Sequence, residues 1–346
     1  MSVLDAEFAW PGGDRPGQPE FEHEPQPAVV AAITQALASA FPAADEPDAR
    51  LRALRPPTGP VGRYRLATAR GAWFVRVSTR WGNPELERAI TTDLAARGVS
   101  VNPLLVAGRP LQWNDDVFRV DVRPMIAGRH FDGSAGDLQR LAATLGACHH
   151  ALVDSPRAAA VRAAASARDE RLAKIRDLLA DALKRDAFEL FAEQAPWARA
   201  HREWLDAMAD GFEPRLDERP EAQCLHGEVH PGNVLFRADD GAAVLVDFEE
   251  SVHVFAPPAW DVAFLVQRFC LSDDPAPAAA RERLAIVSLA YGPPVPDLAG
   301  MMRQAAWFCI AAILDMRLSQ GLATPGGEYD KFVRLERQTH TFERLL

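Results

Sequence analysis

Residues 224–251, CLHGEVHPGNVLFRADDGAAVLVDFEES, constrain the fold more than any other stretch of this chain. Gly227, Pro231 and Gly232 rule out a continuous helix. His226, Glu228, His230 and Asn233 therefore project from a loop. VLF and AVLV then read as two apolar strands, with Asp239, Asp240 and Gly241 as the turn between them. A three-residue turn ending in glycine suits a hairpin whose glycine is left-handed. A turn centred on Asp240 pairs Asn233 with Asp247 at the open end of the hairpin, beside the loop that bears Glu228. Such a hairpin, set among predicted helices, has no evident packing need, and catalytic groups are often carried on loops of this kind.

The surrounding pattern divides into parts. Residues 1–26 are broken by proline and glycine and read as an irregular arm. Helical spacing follows over 27–41, then β-like runs at 62–67, 72–78, 104–107 and 117–122, with a helix over 84–97 between the second and third. Helical spacing dominates the rest, over 138–152, 159–186, 198–210, 278–289, 299–320 and 328–346. The expected architecture is α+β and two-lobed: a small β-rich lobe at 27–122 and a large, mostly helical lobe at 123–346 that holds the loop and hairpin.

Composition narrows the function classes. A chain of 346 residues with 48% hydrophobic and 25% charged residues builds sizeable cores and is not disordered or fibrous. Its net charge of −10 disfavours a nucleic-acid-coating role. Cys148, Cys224, Cys270 and Cys309 are scattered in apolar contexts without a CxxC pair, which reads as buried free thiols in a reducing compartment. The start, MSVLDAEFAW, lacks a secretory pattern. The longest apolar run, 305–314, is short of the roughly 20 residues that span a bilayer. The default expectation is a cytoplasmic enzyme with no membrane or nucleic-acid partner.

The chemistry of the loop is specific. Asn233 and Asp247 offer hard oxygens that suit magnesium while leaving positions open to water and phosphate. Glu228, five residues before Asn233, is placed to orient a hydroxyl and accept its proton. Glu228-x-x-x-x-Asn233 followed by Asp247-Phe248-Glu249 has the layout of a kinase catalytic loop and metal site.

HGEVHPGNVLF…VLVDFEES closely resembles the aminoglycoside phosphotransferase and choline kinase superfamily, whose usual pattern is HGDxHxxN followed by a DF-type motif. The resemblance implies a kinase-like fold that moves the γ-phosphate of ATP, with Mg2+, to a hydroxyl of a small molecule such as an aminoglycoside, amino alcohol, sugar or homoserine. It puts Glu228 at the catalytic-base position and Asn233 and Asp247 at the magnesium positions. His226 would hold the loop in shape, and Asp261 of Trp260-Asp261 would brace it. In the small lobe, Gly59 and Gly62 lie in the segment 58–65 that would cover the phosphates. Arg76 takes the place of the usual lysine, Glu87 is its expected helix partner, and Met125 in the segment 123–128 would meet the adenine through its backbone. The main departure is Glu228, where aspartate is usual.

His226 and His230 are four apart, but the zinc-protease signature needs a helix that Gly227 and Pro231 forbid. His149-His150 at a predicted helix end reads as packing. A non-catalytic kinase-like module that binds nucleotide is the rival class, favoured by Glu228 and Arg76. A Ser/Thr protein kinase is weakened by the lack of an activation-segment end signature.

Overall fold

The computed structural model describes residues 22–56, 59–80, 82–321 and 327–346, so residues 1–21 of the expected arm at 1–26, and Thr58, lie outside the described residues. The described chain falls into two compact units. One comprises residues up to Ala151 together with Pro231–Val252; the other comprises Leu152–His230 and His253–Leu346. Contacts thus group the helix expected over 138–152 and the hairpin with the small sheet, whereas the sequence assigns both to the large lobe.

The first unit is built on an antiparallel sheet of β1 (Arg50–Ala53), β2 (Gly62–Thr68), β3 (Gly71–Ser78), β4 (Val106–Trp113) and β5 (Asp116–Pro124), in the order β1-β2-β3-β5-β4. β1 escaped sequence reading because RLRA alternates arginine with small apolar groups over only four residues. β4 runs to Trp113, well beyond the expected strand, because Gly108 and Pro110 interrupt the apolar pattern where the β4–β5 register shifts. Period-2 alternation gives this sheet two unlike faces. Val75, Val77, Val120 and Val122 join Tyr64, Leu66 and helix α1 (Pro27–Leu37, through Val29, Ile33 and Leu37) in one apolar core. The intervening residues, Arg76 on β3 and Arg119, Asp121 and Arg123 on β5, occupy the other face, with Arg76 directly opposite Asp121. Helix α2 (Pro84–Ala96), capped by the Asn83 side chain on the Leu86 N–H at 3.1 Å, brings Glu87 to that charged face.

A second sheet in this unit joins β6 (Gly128–Arg129), β7 (Val234–Arg237) and β8 (Ala243–Leu245). Helix α3 (Ala135–Leu152) belongs to the same unit. The hairpin register differs from the expected one by a single residue. Val234 pairs with Leu245 and Phe236 with Ala243, and the Val246 N–H donates to the Asn233 carbonyl at 3.0 Å. Asn233 thus faces Val246, not Asp247. The loop holds four residues, 238–241, rather than three. Gly241, at φ +69°, closes it by donating to the Arg237 carbonyl at 3.0 Å. Leu245 is also locked to the segment after α2, donating to Ser100 and accepting from Asn102.

The second unit is helical: α4 (Ala158–Lys184), α5 (Ala195–Ala200), α6 (Arg202–Gly211), α7 (Ala259–Leu265), α8 (Pro277–Tyr291), α9 (Leu298–Gln320) and α10 (Glu328–Leu345). A π-helical turn, Val266–Cys270, extends α7, and its buried Gln267 donates to carbonyls of Met302 and Leu335 at 2.9 Å each. By length and composition Leu298–Ser319 is apolar enough to cross a membrane, which a count of uninterrupted apolar residues does not reveal; 56% of that window is buried within the protein. All four cysteines are free; Cys148, Cys224 and Cys270 are buried, and Cys309 is half-buried. Burial pushes the Cys224 thiol to about 11 and the Cys270 thiol to about 12, which keeps both protonated and unreactive.

Candidate active site

The loop bearing Glu228 is held by α7. Asp261, fully buried in the first turn of that helix, accepts the His226 N–H on one carboxylate oxygen and the Gly227 N–H on the other, each at 2.9 Å. The Trp260 indole N–H donates to the Gly227 carbonyl at 2.9 Å. Both peptide groups of Gly227 are thereby clamped, and its φ of +94° is a conformation that a side chain would strain. The Glu228 N–H donates to Nδ1 of the buried His226 at 3.3 Å, so in the neutral ring the proton sits on Nε2. His226 shapes the loop, and the Glu228 side chain is left part-exposed, with His230 Nε2 at 3.9 Å from its Oε1.

In the other unit the charged sheet face meets the end of the hairpin. Asp247 follows β8 with φ +61°, a left-handed turn that short polar side chains tolerate. Phe248 is fully buried and anchors the turn, and its carbonyl accepts the Ser251 hydroxyl at 2.6 Å. With the backbone so fixed, Arg76 Nη1 lies 3.3 Å from Asp247 Oδ1 and 3.1 Å from Glu249 Oε2. Arg80 Nη1 lies 3.2 Å from Glu249 Oε1. Burial works against the Arg76 charge, but Glu249 and Asp247, and then Asp121, outweigh it and hold its pKa above the ordinary value. Burial, and then the Asp247 charge, raise the Glu249 carboxyl, against the pull of Arg76 and Arg80.

Glu87 does not serve Arg76. It pairs with Arg119 at 3.1 Å and with Arg123, and Arg119 also pairs with Asp121 at 2.6 Å. The reason lies in the strand: Arg119 and Arg123 flank Asp121 on one face of β5, and two buried arginines there need the helix carboxylate more than a part-exposed Arg76 does. Arg123 is held above its ordinary pKa, burial opposing and Glu87 and then Asp247 prevailing.

The remaining predicted residues are placed as follows. Gly62 opens β2 and Gly59 precedes it, neither with positive φ; the buried Tyr64 hydroxyl ties this loop by donating to the Pro60 carbonyl at 2.8 Å. The Met125 N–H donates to the Ala72 carbonyl at 3.1 Å, which commits that donor to the sheet. Asp239 and Asp240 are turn residues, as expected: Arg237 and then backbone N–H groups engage them, and the Arg237 hydrogen bond holds Asp239 down to about 2.

Sequence reasoning did not single out Glu249 and Arg80, which form ion pairs beside Arg76. Glu249 lay within the Asp247-Phe248-Glu249 motif, whereas Arg80 lies two residues past β3, where strand parity no longer sets a face. Sequence reasoning also missed Arg119 and Arg123, which share one parity along β5 but whose partner on α2 lies in a distant element. Among the described residues, no three His, Cys, Asp or Glu side chains converge as a metal cluster.

Comparison with known proteins adds the following. The model of the phosphotransferase enzyme family, APH, matches residues 61–298, more than half of the chain. The choline kinase LicA from Streptococcus pneumoniae has a similar structure, with a TM-score of 0.58 and 16% identity over 90% of this chain and 98% of that one. An ethanolamine kinase of Plasmodium vivax gives 0.54 and 12% over 92% and 90%. A spectinomycin phosphotransferase in complex with ADP and spectinomycin gives 0.54 and 14% over 86% and 93%. Likeness at such identities shows the fold, which is kinase-like. No curated protein matches the chain in sequence.

Proposed function

Because this chain belongs to the phosphotransferase enzyme family, we propose that it moves the γ-phosphate of ATP to a hydroxyl of a small molecule. The observation that carries this reading is the contact of Arg76 with Asp247 at 3.3 Å, across 171 residues of sequence. It sets a strand cation suited to phosphate beside a carboxylate suited to magnesium, as phosphoryl transfer requires.

The donor chemistry fits that metal. Asn233 and Asp247 supply hard oxygens, and Glu249 adds a carboxylate whose pKa burial, and then Asp247, raise. Asn233 and Asp247 would hold the ion, which when bound supplies charge neutralisation at the transferred group. Arg76 offers its planar fork to phosphate oxygens. Glu228 would orient the acceptor hydroxyl and take its proton as the hydroxyl oxygen bonds to the γ-phosphorus and the bond from that phosphorus to the bridging oxygen of the departing ADP breaks. His226 and Asp261 act through the backbone, fixing the loop from which Glu228 projects. Glu87 acts one step further away, bracing the arginines of β5. Most of the rate would come from positioning and electrostatics. The free thiols support a cytoplasmic setting.

The test is ADP release with ATP and Mg2+ across a panel of acceptors. The choline, ethanolamine and spectinomycin named for the similar structures come first, followed by other aminoglycosides, sugars and homoserine. Turnover with one acceptor class is expected, lowered about 100-fold or more by Glu228→Gln. Nucleotide binding by thermal shift with no turnover on any acceptor would overturn the transferase reading and leave a nucleotide-binding module.

A further inference from the structure

We infer that Arg76 is a built-in competitor for the metal carboxylate, so that this site takes a divalent cation tightly only when nucleotide phosphates draw Arg76 away. The inference rests on the metal assignment proposed above. One nitrogen of Arg76 bridges Asp247 and Glu249, at 3.3 and 3.1 Å, and Arg80 holds the other oxygen of Glu249 at 3.2 Å. Two guanidinium charges therefore already balance two carboxylates. A divalent ion at Asp247 would sit within a few ångström of a fixed positive charge, in a part-buried setting where repulsion is strong.

Movement of Arg76 would resolve the conflict, and its side chain is less buried than those of the β5 arginines. Glu87, which would otherwise tether it, is committed to Arg119 and Arg123. The Arg76 side chain is 20% exposed, against 4% for Arg119. Nucleotide phosphates offer Arg76 a new partner and return Asp247 to the metal. Linkage then makes the effect reciprocal: metal and nucleotide raise each other's affinity by the same factor.

The experiment is Mn2+ binding to the full chain without nucleotide, followed by calorimetry or water-proton relaxation. Arg76→Met and Arg76→Gln are each expected to bind nucleotide-free Mn2+ at least about ten-fold tighter than the unaltered protein, as removal of a nearby cation requires. Arg80→Gln, on the most exposed side chain of the four, is expected to give a smaller gain in the same direction. Asp247→Asn is expected to abolish binding in every background. Failure of all three arginine variants to tighten Mn2+ binding, with Asp247→Asn still abolishing it, overturns the competitor role alone. Mn2+ binding that survives Asp247→Asn overturns the metal assignment, and the competitor role with it.

Discussion

Two clusters of arginine and acid share one unit and one sheet face, and they differ in burial. Glu87, Arg119, Asp121 and Arg123 are all nearly inaccessible. Arg76, Arg80, Asp247 and Glu249 sit at the open end, with side chains between 18% and 42% exposed. The chemistry of the pairs is the same, but what can be done with them is not. A buried pair that loses one member strands an unpaired charge in a low dielectric, so its partners are fixed. A part-exposed pair is partly screened by water, so its members exchange partners at a lower cost than buried ones do. The first cluster is framework, and the second is the one to which we assign ligand exchange.

The sharpest way to break this division is through activity. Asp247→Ala is expected to lower ADP release on the order of 1000-fold or more, with the thermal midpoint little changed. Near-normal turnover would remove Asp247 from the working cluster. Next in size, Glu87→Gln is expected to cost about 3–5 kcal/mol in urea unfolding, since it leaves two buried arginines short of a charge. Arg76→Met should cost far less in the same measurement, and equal costs would erase the distinction.

A third charged pair, in the helical unit, extends the comparison. Asp169 of α4 is buried beside Arg168 at 3.0 Å; burial raises its carboxyl to about 6, and Arg168 offsets only part of that. Its folded pKa exceeds the unfolded one, so the folded state holds the proton more tightly. Stability from this group is full below about pH 4 and is lost as pH rises to about 6, by up to roughly 3 kcal/mol. Asp169→Asn should flatten that part of the stability profile in urea titrations at several pH values, and an unchanged slope would show that Arg168 satisfies Asp169 fully. The smallest effect belongs to the exposed edge: Arg80→Ala is expected to change folding stability by less than about 1 kcal/mol.

The loop and hairpin were legible because their signals are local. Gly227, Pro231 and Gly232 exclude a helix within a few residues of one another, and the apolar runs on either side of Asp239–Asp240–Gly241 announce a turn. The exact register was not legible. Three- and four-residue loops both place a left-handed glycine at their end, and only the packing of Phe236 and Ala243 and the bonds of Leu245 to Ser100 and Asn102 choose between them. The Glu87 pairing failed for a related reason. Spacing put one acid on a helix near one strand arginine, but β5 offers two more, and burial decides which of three arginines an acid must serve.

Residue type and short spacing were enough to nominate Glu228, Asn233, Asp247 and Arg76 as candidates for the chemistry, with Trp260-Asp261 as a brace. The tertiary structure decided their partners. Asp261 clamps two successive N–H groups 34 and 35 residues away, and Arg76 bridges Asp247 and Glu249 while Glu87 turns to β5. Pairing between distant charges follows from burial and register, and both come into being only when the chain has packed.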